Sequence, residues 1–175
     1  MPTNVEIKAR IHDRDRLLQR IATLTTAPPV VLEQQDTFFG CDRGRLKLRS
    51  MPDGAGELIF YDRPDTAGSR ESRYEIAPVA AASQLRTVLA AAVGERQTVT
   101  KTRQLFHVGQ TRVHVDTVAG LGDFLELEVV LRPGQPPGEG HAIAAELMAS
   151  LGVQPADLLD RAYADMLPQP GPGTS

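Results

Sequence analysis

The chain has 175 residues, with 19 Lys and Arg against 22 Asp and Glu for a formal charge of -3, and 41% of it is apolar. Those values fit one globular domain with a real core, too apolar for a disordered chain and too near neutral for a general nucleic-acid binder. A single cysteine, Cys41, excludes an internal disulfide and a Cys-rich zinc framework, and is expected as a small buried or half-buried side chain. No apolar run approaches the roughly 18 residues of a membrane span and the start lacks an apolar secretory segment, so a cytoplasmic protein without membrane partners is expected.

Residues 4–11 alternate Val5, Ile7, Ala9 and Ile11 with Glu6, Lys8 and Arg10, the period of two of a strand. Over residues 12–24, Leu17, Leu18, Ile21 and Leu24 follow helical spacing behind Asp13, a carboxylate suited to a helix start, until Pro28 and Pro29 intervene. Strands are predicted over residues 35–41, 45–51, 57–63, 71–77 and 98–106, divided by Gly- and Pro-containing breaks. One break, residues 64–69, is suited to a hairpin or a mobile loop. A helix over residues 82–93, with Leu85, Val88, Leu89, Ala92 and Val93 in phase, ends at Gly94. A hairpin at Val108, Gly109 and Gln110 leads to strands at 111–117 and 124–131.

Two helices are expected to follow. Ile143, Ala144, Leu147, Met148 and Leu151 form the stripe of the first, and Pro155 opens the second, whose apolar face is Leu158, Leu159, Ala162, Tyr163, Met166 and Leu167. Residues 1–167 read as a single α+β domain and 168–175 as a disordered tail.

The phase of the charges within the strands is informative. Glu6 with Lys8, Arg45 with Lys47 and Arg49, Glu57 with Arg63, Lys101 with Arg103, Arg112 with His114 and Asp116, and Glu126 with Glu128 each share one face. Glu71, Arg73 and Glu75 repeat the arrangement, and aliphatic residues occupy the opposite faces. Were helices to cover the aliphatic side and the sheet to curl, the charged side would line a lumen suited to a multivalent anion and a hard cation.

The same residues resemble a known family. Asn4-Val5-Glu6-Ile7-Lys8 is similar to the Glu-x-Glu-x-Lys signature of the CYTH superfamily, the triphosphate tunnel metalloenzymes. The likeness extends through Gly44 to Arg49, Leu58 to Arg63, Lys101-Thr102-Arg103, Val113 to Asp116, Gly120 to Glu128 and Ala162 to Leu167, and is greatest toward the class IV adenylyl cyclase-like branch.

The resemblance implies an eight-stranded antiparallel β-barrel, open as a tunnel, with helices packed outside. It implies Glu6, Glu126 and Glu128 as ligands for Mg²⁺ or Mn²⁺, and Lys8, Lys47, Arg49, Arg63, Lys101, Arg103 and Arg112 as triphosphate contacts. Lys8, Arg103 and Asp116 are the implied catalytic groups, Asp116 as a metal or water-positioning residue; Arg73 and Glu75 match less closely. Asn4 departs from the pattern, removing one negative charge where the signature has its first glutamate.

Expected is a metal-dependent enzyme acting on a small triphosphate, nucleoside, thiamine or inorganic, with hydrolysis preferred to cyclisation of ATP to cyclic AMP and pyrophosphate. A non-catalytic phosphate-binding module is the third reading. His114 shares the charged face, but is expected as a hydrogen-bonded wall residue rather than a general base. A homodimer is the commonest assembly for such a chain.

Overall fold

The computed structural model describes residues 2–170. Its elements are β1 (Thr3–Arg10), α1 (Arg14–Leu24), β2 (Val30–Phe39), β3 (Arg45–Ser50), β4 (Gly56–Asp62), β5 (Arg70–Val79), α2 (Ala82–Val93), β6 (Glu95–Val108), β7 (Thr111–Val118), β8 (Gly122–Val130), α3 (Pro137–Leu151), a 3₁₀ turn (Pro155–Asp157) and α4 (Tyr163–Met166). The eight strands close antiparallel in the order β1-β5-β4-β3-β2-β6-β7-β8. This is the expected barrel, and it lies inside a helical coat.

Closure gives every strand an inner and an outer face, so strict alternation sorts the two chemistries. Val5, Ile7, Val113, Val115, Leu125, Leu127 and Val129 point outward from β1, β7 and β8 and meet Leu17, Ile21, Ala144, Leu147 and Leu151 of α1 and α3. The main core is therefore outside the barrel. Close approach of α3 depends on Gly140, where a β-carbon would stand 2.8 Å from the Val5 side chain and 2.7 Å from that of Leu131. A smaller core joins Ala82, Leu85 and Leu89 of α2 to Phe39 and Leu48. The Asp13 carboxylate accepts from Arg16 N at the start of α1, and Gly152, left-handed at φ 74°, ends α3.

Three expectations about elements change. The phase assigned to β5 is reversed: Arg70 and Ser72 are buried and Tyr74 and Ile76 line the cavity, whereas Arg73 and Glu75 are exposed and Glu71 stays outside the cavity lining. Alternating charge alone fixes periodicity without choosing the inner face, and β5 has few aliphatic residues to decide it. The helix expected from Pro155 to Leu167 instead breaks into the 3₁₀ turn and α4. Leu158 bridges to Ala9 and Leu159 N donates to Lys8 O, drawing the intervening chain against β1. Cys41 is exposed, its thiol directed 2.9 Å toward Arg43 O, because β2 ends at Phe39 rather than continuing through residue 41.

Of the residues read as a tail, Pro168 to Pro170 are exposed and Pro168 O accepts from Gln97 Nε2; residues 171–175 lie outside the described residues. No described helix is long and apolar enough to cross a membrane.

Candidate active site

The inner faces enclose a cavity of about 360 Å³, lined by seven cationic side chains and five carboxylates. Lys8, Lys47, Arg49, Arg63, Lys101, Arg103, Arg112, Glu6, Glu126 and Glu128 all reach it, so the barrel brings together ten of the eleven residues singled out from the sequence. The eleventh, Asp116, is fully buried behind Arg103. The excess of cations favours an anionic ligand.

Strand register assembles the carboxylates. Glu6 lies opposite Glu128 across the β1–β8 ladder and Lys8 lies opposite Glu126, which brings Glu6, Glu126 and Glu128 into one group. One oxygen from each lies within 4.8 Å of the others. Burial, then the charge of Glu126, raises the Glu6 pKa, although Arg63 at 3.1 Å and Arg70 at 3.4 Å pull it down. Three hard oxygen donors repelling one another suit a divalent cation such as Mg²⁺ or Mn²⁺. Next to them along β1, Asn4 is buried with Oδ1 lacking a hydrogen-bond partner among the described residues.

The cations fall into two groups. Lys47 and Arg49 from β3 and Lys101 from β6 converge on Asp36 of β2, at 2.9, 2.9 and 2.8 Å. Burial opposes ionisation of Asp36, yet Lys101, Lys47 and Arg49 together hold its pKa well below the usual carboxylate range. Beside Lys101 on β6, Arg103 makes two 2.6 Å bonds to Asp116 and a 3.0 Å bond to Glu126, while Arg112 of β7 donates to Glu128 at 2.9 Å. The Asp116 carboxylate also accepts from Tyr163 OH at 2.9 Å, and the Lys8 ammonium rests 3.8 Å over that tyrosine ring. Burial lowers the Lys8 and Lys47 pKa values and brings that of Lys101 to about 7. Arg63, which lines the cavity, keeps Nη1 without a partner among the described residues.

His114 reaches the lumen, as its phase indicates, but the expected hydrogen bond to a neighbour is absent among the described residues: Nδ1 is unpartnered and Nε2 stands 4.0 Å from Glu128. Burial and then Arg103 keep its pKa well below the ordinary histidine value. The ring is neutral at neutral pH.

Asp36, Arg70 and Tyr163 were not foreseen as site residues. Asp36 is the one carboxylate of β2's inner face, flanked by Gln34 and Phe38, so no run of in-phase charges marked it. Arg70 precedes the run assigned to β5, and Tyr163 looked like one member of a helical stripe. Arg45, in phase with Lys47 and Arg49 but outside the cavity lining, bonds Asp165 of α4 at 2.6 Å and reaches Asp65 of the 64–69 loop at 3.3 Å.

The closed antiparallel barrel with its cation-rich lumen and carboxylate cluster has the architecture that the sequence resemblance implies. Residues 2–163 match the CYTH domain, and the chain belongs to that family. Its members include triphosphatases and adenylyl cyclases that act with divalent metals. The chain is 28% identical over 177 residues to the adenylate cyclase CyaB of Aeromonas hydrophila, covering 94% of this chain and 88% of that protein. A Pyrococcus horikoshii structure matches 94% of this chain and 99% of its own with a TM-score of 0.82 at 20% identity. A Hippeastrum protein, studied as an adenylyl cyclase and revealing a dominant triphosphatase activity, matches 93% of each chain with a TM-score of 0.55 at 13% identity.

Proposed function

We propose that this protein is a divalent-metal-dependent triphosphatase that hydrolyses a small triphosphate inside the barrel. The observation supporting it most directly is the confrontation, within one cavity, of seven cationic side chains with the Glu6, Glu126 and Glu128 cluster. Simple anion binding has no use for three converging carboxylates. A metal-dependent phosphoryl-transfer site needs both groups.

In this reading Glu6, Glu126 and Glu128 hold Mg²⁺ or Mn²⁺, and Lewis-acid polarisation of a phosphoryl oxygen is what that ion supplies when bound. Lys47, Arg49 and Lys101, gathered on Asp36, bind the phosphate chain together with Lys8, Arg63, Arg103 and Arg112 around the same lumen. Lys8 and Arg103 stabilise the negative charge that spreads over the transferred group in the transition state, where fixed donors need no reorganisation. Asp116 serves catalysis through Arg103: its two short bonds to the guanidinium leave that group aimed into the cavity with its charge intact. Residues 1–167 act as one catalytic domain on this account.

Hydrolysis is preferred because it requires only a water beside the terminal phosphorus, whereas cyclisation also requires a ribose held with its 3′-hydroxyl in line with the α-phosphorus. Similarity to the Aeromonas cyclase favours cyclisation as the second reading. Product analysis separates them: ATP, GTP, thiamine triphosphate and inorganic triphosphate are incubated with Mg²⁺ or Mn²⁺, and orthophosphate, pyrophosphate and cyclic nucleotide are measured separately. Glu126→Gln should reduce turnover by about 100-fold or more while triphosphate binding persists. Turnover unchanged by that substitution would remove the carboxylate cluster from the mechanism.

A further inference from the structure

We propose that Asp36 is a positioning residue for the phosphate chain: it fixes Lys47, Arg49 and Lys101, from the two strands flanking its own, as one pre-oriented cationic wall. The inference rests on the proposed reading of the cavity as a triphosphate site, and deepens it.

Asp36 sits on β2 between β3 and β6, directly opposite Arg49 on one side and Val99 on the other, with Lys47 and Lys101 one inward position away on their strands. It is 1% exposed. Oδ1 accepts from Arg49 Nε at 2.9 Å, while Oδ2 accepts from Arg49 Nη2 at 3.1 Å, Lys47 Nζ at 2.9 Å and Lys101 Nζ at 2.8 Å. One carboxylate therefore orients three cations that come from different strands. Each lysine keeps two of its three N–H donors for the lumen.

A role confined to fold stability accounts poorly for this arrangement. Buried ion pairs contribute little net stability relative to apolar packing, because desolvation cancels most of their attraction. Competition with the ligand is the other alternative: Asp36 would repel phosphate, and its removal would tighten binding at every pH. These readings diverge at Lys101. That ammonium faces Asp36 from β2, Lys47 and Arg49 from β3, Arg103 on its own strand, Glu126 from β8, and the Tyr163 ring 5.8 Å away on α4. Burial lowers its pKa most, Asp36 opposes that, and Arg103, Lys47 and Arg49 lower it further. Without Asp36 the lysine sheds its proton at a lower pH, and the wall loses charge as well as orientation.

The sign follows from linkage. Below the titration of Lys101 in both proteins the lysine is charged in each; as pH rises, the variant loses that charge first, so its deficit grows and then levels off. The experiment measures calorimetric binding of inorganic tripolyphosphate, with Mg²⁺ present, to the full chain and to Asp36→Asn at pH 5.5 and pH 8, taking variant-to-parent ratios at each pH. The expected result is weaker binding by the variant at pH 5.5, from lost orientation of the three cations, and a deficit at least about tenfold larger at pH 8, with that pH-dependent increase absent in a Lys101→Met background.

A deficit of the same size at both pH values, or tighter binding at pH 8, would overturn the proposal. NMR titration of Lys101 Nζ tests it without ligand, by a lower midpoint in Asp36→Asn than in the parent. Should Asp36→Asn fail to fold, Asp36→Glu keeps the charge but displaces the carboxylate by one methylene, and tripolyphosphate affinity unchanged by it at both pH values would refute the proposal. A parent that binds no tripolyphosphate refutes the triphosphate reading instead, leaving the lysine titration as the test of Asp36.

Discussion

Tyr163 illustrates how individual side chains hold the charged lumen together. Its hydroxyl donates to Asp116, its ring supports the Lys8 ammonium, and its face meets Phe124 at a centroid distance of 5.0 Å. Burial, followed by the charge of Asp116, raises the Tyr163 pKa well above the usual tyrosine value, so the hydroxyl remains a donor. Tyr163→Phe keeps the ring and leaves the fully buried Asp116 one donor short. It is expected to destabilise the fold by about 1–2 kcal/mol in urea unfolding and to reduce turnover through Arg103, while Lys8 keeps its aromatic support. Unchanged stability would show that the two Arg103 bonds suffice for Asp116.

At the scale of elements, β5 marks the boundary of what sequence phase resolves. In β1, β3, β7 and β8, aliphatic residues alternate with charges, and each strand presents its aliphatic face to the helices. In β5, parity follows from pairing with β1 and β4, which sets Ser72 beside Asn4 and Ile76 beside Ile59 on the inside. Those partners lie some 15 to 70 residues away in the chain and leave no local signature. The same limit hid Asp36, whose three cationic partners come from other strands, and dissolved the helix expected after Pro155, whose apolar residues pair with β1 or enter the barrel end. The seven in-order motifs of the resemblance located the carboxylate cluster and the cations, because those residues lie on strands whose inner face is unambiguous. Substitution tests the corrected phase: Arg73→Ala should alter unfolding free energy by no more than about 0.5 kcal/mol and leave turnover unaffected. Arg70→Ala strips a buried guanidinium from Glu6, Thr66 O and Asp160 O, and should cost about 3–5 kcal/mol. Equal effects would contradict the reversed parity.

For the whole molecule, a lumen crowded with buried charge makes stability depend on pH in a predictable direction. The folded pKa values of Lys8, Lys47 and Lys101 lie below the ordinary 10.5, that of Lys101 at about 7, so above pH 7 the unfolded chain binds more protons at these sites. Stability then rises with pH through that window. His114, held neutral by burial, acts in the same sense around and below its ordinary 6.5. Asp36 and Glu126, both depressed, stabilise the fold above their unfolded values and lose that contribution as pH falls through the folded ones. Glu6 alone among these groups runs the other way. Scanning calorimetry without metal or phosphate should therefore give a thermal midpoint that climbs from pH 6 to pH 9, and a flat or falling profile would contradict the electrostatic account of the lumen.

The central claim is that this lumen hydrolyses a triphosphate with the help of its carboxylates. Phosphorus-31 NMR of ATP and of inorganic triphosphate incubated with the protein and Mg²⁺ or Mn²⁺ tests it most directly. The account predicts orthophosphate release that Glu126→Gln abolishes, and triphosphate left intact under both metals, or converted only to pyrophosphate and cyclic AMP, would contradict it.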